Sequence, residues 1–114
     1  MFIFDQKINM QFLSAEELNL LLKQSDEYII LDIREAYEYA VGNLNSLHIP
    51  MGELIDRKSE LPGNKKIVLM CRSGKRAEAA ANLLMTEFNM SNIIVLNGGI
   101  LAWRDDVEPN LNLD

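Results

Sequence analysis

The sequence predicts an α/β fold with a central, mainly parallel sheet and helices on both faces. Three observations carry that reading. Short apolar runs, Tyr28-Ile29-Ile30-Leu31, Ile67 to Met70 and Ile93 to Leu96, alternate with segments of helical periodicity. Two of these runs lead directly into polar loops, Asp32-Ile33-Arg34 and Cys71-Arg72-Ser73-Gly74-Lys75-Arg76, and in open α/β sheets ligands bind beyond the carboxyl ends of strands. The 114 residues, 48% hydrophobic and 25% charged, suffice for one core but not two, so a single domain over 1–114 with its core at about 10–105 is expected.

The elements follow in order. Ser14-Ala15-Glu16-Glu17 has the spacing of a capping box and opens a helix whose buried face is Ala15, Leu18, Leu21 and Leu22. The apolar strand Tyr28 to Leu31 comes next. Glu35 to Tyr39 reads as a short helix, broken by Gly42 before a small strand Leu47-His48-Ile49 that Pro50 closes. A brief helical piece from Gly52 to Arg57 and a Leu61-Pro62-Gly63 turn lead to the strand Lys66 to Met70. After the cysteine loop, Ala77, Ala80, Ala81, Leu84 and Phe88 recur at helical spacing, and their small side chains let that helix lie close on the sheet. Asn89 ends it, Ile93 to Leu96 forms the last strand, and Asn97-Gly98-Gly99 turns into a final short helix containing Trp103. No internal repeat or low-complexity tract is present.

The candidate site is the loop at Cys71. It holds the only cysteine, with Arg72, Lys75 and Arg76 within five residues of it, in a chain of net charge -6. A strand, a glycine-containing loop and a helix in succession aim backbone N–H groups at one spot, which suits an anion. A sulfur placed there, among cations, is activated as a nucleophile. An inert buried cysteine is the commoner fate of a lone thiol, but it gains nothing from three cations that are costly to desolvate beside it. An acidic protein that gathers three cations at one thiol is expected to bind a small anion there.

Composition excludes several classes. No basic stripe interleaved with aromatics exists, so nucleic acid is not an expected partner. Met1-Phe2-Ile3-Phe4 is apolar but is followed by Asp5 and preceded by no cationic segment, so neither a signal peptide nor a membrane span is expected. One cysteine forms no internal disulfide, and a reactive thiol survives best in a reducing compartment; the expectation is cytoplasmic.

Three separated segments together resemble one family. Leu31-Asp32-Ile33-Arg34-Glu35 with Glu38, Gly42 and Ile49-Pro50 is similar to the first motif of rhodaneses. Cys71 to Ala77 resembles their active-site loop, and Leu96-Asn97-Gly98-Gly99-Ile100-Leu101-Ala102-Trp103 their terminal signature. The resemblance runs from about Ser14 to Trp103 and implies a rhodanese-like fold and sulfurtransferase activity. It implies that Cys71 takes the outer sulfur of a donor such as thiosulfate or a polysulfide, becomes a persulfide, and passes the sulfur to cyanide or to a thiol acceptor such as thioredoxin or glutathione. Arg72, Ser73, Gly74, Lys75 and Arg76 would bind the anionic donor, with loop N–H groups from Arg72 to Arg76 holding the outer sulfur. No metal or organic cofactor is implied. With no second cysteine, the sulfur must leave to an external acceptor.

Two other classes share the fold. Phosphatases and arsenate reductases place arginine six positions after the cysteine, whereas here Arg76 is at five and Ala77 at six, which leaves a smaller cradle better matched to one sulfur than to a tetrahedral phosphate. A non-catalytic binding module is the other alternative, and the presence of Cys71 argues against it. Asp32 and Arg34 flank the candidate site, and an ion pair tying the strand end to the cysteine loop is their expected role. His48 is expected to be structural, Glu35 and Glu38 to form the solvated face of a helix, and Trp103 to anchor the core. Where rhodaneses usually carry Gly-His-Ile this chain has Gly42-Asn43-Leu44, so any role of that family histidine has no counterpart here.

Overall fold

Among the described residues, five short strands form a single all-parallel sheet, in the order β1-β5-β4-β2-β3. They are β1 (Gln11–Leu13), β2 (Tyr28–Asp32), β3 (Leu47–His48), β4 (Lys66–Met70) and β5 (Ile93–Leu96). The helices are α1 (Ala15–Gln24), α2 (Ala36–Val41), α3 (Leu54–Arg57), α4 (Lys75–Glu87) and α5 (Gly99–Asp106), with 3-10 turns at Met51–Glu53 and Lys58–Glu60 on either side of α3. The computed structural model describes residues 9–114, so the apolar tetrapeptide Met1-Phe2-Ile3-Phe4 lies outside the described residues. Among the described residues, no helix is long and apolar enough to cross a membrane.

Both faces of the sheet are covered, which is why its strands read as continuous apolar runs. Successive side chains of a strand point to opposite faces, and the two core clusters divide along that alternation. Leu31, Ile67, Leu69, Ile93 and Val95 face α3 and α4, where they meet Leu54, Ala77, Ala80, Ala81 and Leu84. Ile30, Val68, Met70, Ile94 and Leu96 face α1 and α5, where they meet Ala15, Leu18, Ile100 and Trp103. The fold class expected from sequence is the one observed.

Local chemistry sets the helix boundaries. Ser14 Oγ accepts the Glu17 N–H at 3.1 Å and Glu17 Oε1 accepts the Ser14 N–H at 2.8 Å, the reciprocal capping box that the spacing predicts. Of the expected apolar face of α1, Ala15 and Leu18 are buried, while Leu21 and Leu22 are half-buried. Helix α4 begins at Lys75, two residues before the alanine pattern starts, because Gly74 adopts a left-handed conformation (φ 105°) that caps it. Lys75 and Arg76 therefore belong to its first turn and not to the loop. Asn89, at φ 52°, ends the helix region as expected.

All five carboxyl ends lie on one side of the sheet. Register pairs Asp32 with Met70 and with His48, Leu69 with Val95, and Leu13 with Leu96. The chain leaves β2 toward β3 at one edge but leaves β4 toward β5 in the opposite direction. The crevice between β2 and β4 is thus the topological switch point, the usual place for a ligand in an open α/β sheet. Cys71 is the first residue beyond β4 at that crevice.

Candidate active site

Cys71 continues the alternation of Ile67 and Leu69, so its side chain turns to the α4 face and meets the start of that helix. It is buried, with 1% of its surface exposed. Its Sγ accepts the Gly74 N–H at 3.1 Å and the Ala77 N–H at 3.4 Å. Two backbone donors and the positive end of a helix of thirteen residues therefore aim at one sulfur, an arrangement that stabilises negative charge on it. The N–H groups that reach Sγ are those of Gly74 and Ala77, and the second lies one residue beyond the Arg72 to Arg76 stretch that the sequence marks. Only the backbone of Ala77 takes part, so its side chain carried no signal.

The loop itself is held from behind by α5. The Ile100 N–H donates to the Cys71 carbonyl at 2.8 Å and the Leu101 N–H to the Arg72 carbonyl at 3.2 Å. Gly99, at φ 64°, passes so close to the Cys71 and Arg72 carbonyl oxygens that a Cβ there would overlap them. The Gly98-Gly99 pair, legible in sequence only as a turn, lets one helix N-terminus dock onto the backbone of the cysteine loop.

The three cations of the cluster differ in their partners. Arg76 is bound by both carboxylate oxygens of Glu38, Nη1 to Oε1 at 2.8 Å and Nη2 to Oε2 at 3.0 Å. Arg72 Nη2 lies 3.4 Å from Asp114 Oδ1. Lys75 is exposed and has no acidic partner among the described residues. Ser73 is exposed as well.

Glu38 corrects an expectation. It does not lie on a solvated helix face: its side chain is 13% exposed, and besides Arg76 it takes the Glu35 N–H at 2.9 Å, so one carboxylate joins the start of α2 to the first turn of α4. The Arg76 hydrogen bonds hold its carboxyl down at about 2 against an ordinary 4.5, with burial opposing and the Glu35 N–H assisting. Because the folded-state value is depressed, this pair stabilises the fold fully above about pH 4.5 and the contribution is lost as pH falls toward 2. With Arg76 more than a third exposed, its worth after solvent screening is about 1–2 kcal/mol. Glu38→Gln is expected to lose that amount at neutral pH and to flatten the acid limb of stability, as read by urea unfolding across pH 2–5. An unchanged acid limb would mean that the pair contributes nothing.

Asp32 and Arg34 form a buried ion pair, at 0% and 1% exposure, as the sequence suggested. Asp32 Oδ1 accepts the Arg34 backbone N–H at 3.0 Å, and Arg34 Nη2 donates to Asp32 Oδ2 at 2.8 Å and to the Gly42 carbonyl at 2.8 Å. The pair therefore ties the end of β2 to the end of α2, not to the cysteine loop as expected. That loop is tied to β2 through backbone instead, by the Ile33 N–H donating to the Met70 carbonyl at 2.9 Å. His48 stacks on Tyr39 with ring centroids 4.3 Å apart, and its Nε2 lies 2.8 Å from the Arg34 carbonyl oxygen, a structural role. Trp103 is buried on the α5 face, with its Nε1 donating to Glu108 at 3.2 Å. A cleft of about 550 Å³ lined by Lys23, Asp26, Tyr28 and Lys65 opens at the amino end of the sheet, away from Cys71.

This geometry coincides with a known family. The model of the rhodanese-like domain matches residues 14–106. The chain belongs to that family. A sulfurtransferase of Allochromatium vinosum is 34% identical over 92 residues, covering 80% of this chain and 85% of that protein. A putative sulfur carrier protein of Bacillus subtilis, YrkF, is 36% identical over 86 residues, but there the match spans only 46% of the longer protein. Among solved structures, a rhodanese-related protein of Thermoplasma volcanium superposes with a TM-score of 0.77 at 31% identity, covering 91% of this chain and 99% of that one. The rhodanese-like match ends at Asp106, so the segment after α5 lies beyond it.

Proposed function

We propose that this protein is a sulfurtransferase that carries sulfane sulfur on Cys71. The convergence of the Gly74 and Ala77 N–H groups on Sγ is the observation that carries the reading, because it supports charge on the attacking sulfur and, one bond further out, on a persulfide. The Cys71 thiolate attacks the outer sulfur of an anionic donor such as thiosulfate or a polysulfide; in thiosulfate the S–S bond breaks and its electron pair leaves with sulfite. An acceptor thiolate, of the glutathione or thioredoxin type, or cyanide then attacks the outer persulfide sulfur and Cys71 leaves as thiolate. Arg72 and Lys75 meet the donor, Ser73 and Gly74 shape the loop, and Arg76 adds charge from its place on Glu38. Asp32 and Arg34 act by holding the crevice in shape.

Only Cys71 to Gly74 separate β4 from α4, and so short a loop favours a single sulfur over a phosphate with three equatorial oxygens. A lone thiol that must be regenerated by an external thiol suits the reducing cytoplasm. The test is an intact mass after incubation with thiosulfate or a polysulfide. A gain of one sulfur atom, mapped to Cys71 and lost on adding glutathione, is the expected result. Hydrolysis of an aryl phosphate without any persulfide from either donor would overturn the proposal.

A further inference from the structure

The segment after α5 returns to the site. Leu113, at 7% exposure, packs into the core cluster of the α1 and α5 face, and the Asn112 carbonyl presses on Gly42 so closely that a Cβ at Gly42 would overlap it. This holds the backbone beside the cysteine loop, and the next side chain, Asp114, has its Oδ1 3.4 Å from Nη2 of Arg72, which follows Cys71 in sequence. The Asp114 carboxylate is 79% exposed, so it can yield Arg72 to another anion. With Arg76 paired to Glu38 and Arg72 to Asp114, Lys75 in the first turn of α4 is the cation near Cys71 without an acidic partner among the described residues.

We infer that Asp114 is a specificity-determining residue, a built-in competitor for Arg72 that disfavours doubly charged donors relative to singly charged ones. The inference rests on the sulfur-transfer reading. A dianion such as thiosulfate draws most of its recognition from paired cations and must displace Asp114 to reach Arg72, while a monoanion loses less by leaving that pair intact. Both classes deliver the same atom. Thiosulfate gives the Cys71 persulfide and sulfite, and an alkanethiosulfonate gives the same persulfide and a sulfinate, with the S–S electron pair going to the leaving group in each case.

The experiment compares KM and kcat for thiosulfate and methanethiosulfonate in the wild-type chain, Asp114→Asn and Asp114→Glu. An exposed pair of this kind is worth a factor of about three. The expected result is a fall of about threefold in KM for thiosulfate in Asp114→Asn, a smaller change for methanethiosulfonate, unchanged kcat, and a wild-type ratio in Asp114→Glu. The difference should vanish at about 1 M salt, where the Debye length is about 3 Å. An unaltered ratio of the two KM values in Asp114→Asn, with Cys71 still acquiring sulfur, overturns this inference alone. Failure of both donors to load Cys71 in every variant overturns the sulfur-transfer reading and the inference with it.

Discussion

Cys71→Ser is expected to eliminate sulfur transfer while leaving the fold in place. The side chain belongs to the core cluster that includes Leu69 and Ala77, and its sulfur accepts two backbone N–H groups. A serine hydroxyl is nearly the same size and can accept the same bonds, so stability should change by no more than about 1 kcal/mol. It cannot carry a persulfide. Since no other cysteine exists in the chain, no second residue can take over the covalent step. Transfer from thiosulfate to cyanide by the purified variant should fall to the uncatalysed rate, with an unfolding midpoint close to wild type. Retained turnover would refute a covalent carrier at Cys71, and a collapse of the fold would instead show that the sulfur serves packing.

What could be read from sequence was what local pattern encodes. The capping box at Ser14, the strands Lys66 to Met70 and Ile93 to Leu96, and the alanine face of α4 all appear where periodicity puts them. Strand β1 is not legible in the sequence. It has three residues, lies at the sheet edge, and leaves Phe12 44% exposed, so neither length nor burial marks it. The alanine pattern begins two residues after α4 does, because Lys75 and Arg76 carry no apolar signal and Gly74 reads as loop. In the site, Cys71 and its neighbours were visible as a cluster, whereas every contact that shapes them is distant in sequence. Glu38 reaches Arg76 across 38 residues and Asp114 reaches Arg72 across 42. Gly42 reads in sequence as a helix breaker, yet its backbone is ordinary extended chain at φ -166°, and what demands a missing side chain is the Asn112 carbonyl of the segment after α5. Helical periodicity places Glu38 on a face but cannot say that a guanidinium from another element lies over that face.

Gly99→Ala is expected to cost both stability and transfer, more than any other single methyl group added near the loop. Two effects add. At φ 64° an L side chain carries a penalty of about 1 kcal/mol or more, and the new Cβ would overlap the carbonyls of Cys71 and Arg72. Those carbonyls are backbone, so relief comes only by moving the loop away from α5. That movement weakens the Ile100 bond to Cys71 and the Leu101 bond to Arg72, at about 1 kcal/mol each. The sum is a loss of roughly 3 kcal/mol, to be read as a lower urea midpoint. Transfer should fall by more than about tenfold, since a cradle that aims two N–H groups at one sulfur tolerates displacements of only about half an ångström. Gly52→Ala is the control: it sits at the site end of the sheet, a Cβ there meets nothing within 4 Å, and the change should stay within about 0.5 kcal/mol. If Gly99→Ala behaves like Gly52→Ala in both measurements, the cysteine loop holds its shape without α5, and the docking of that helix N-terminus is not what sets the geometry at Cys71.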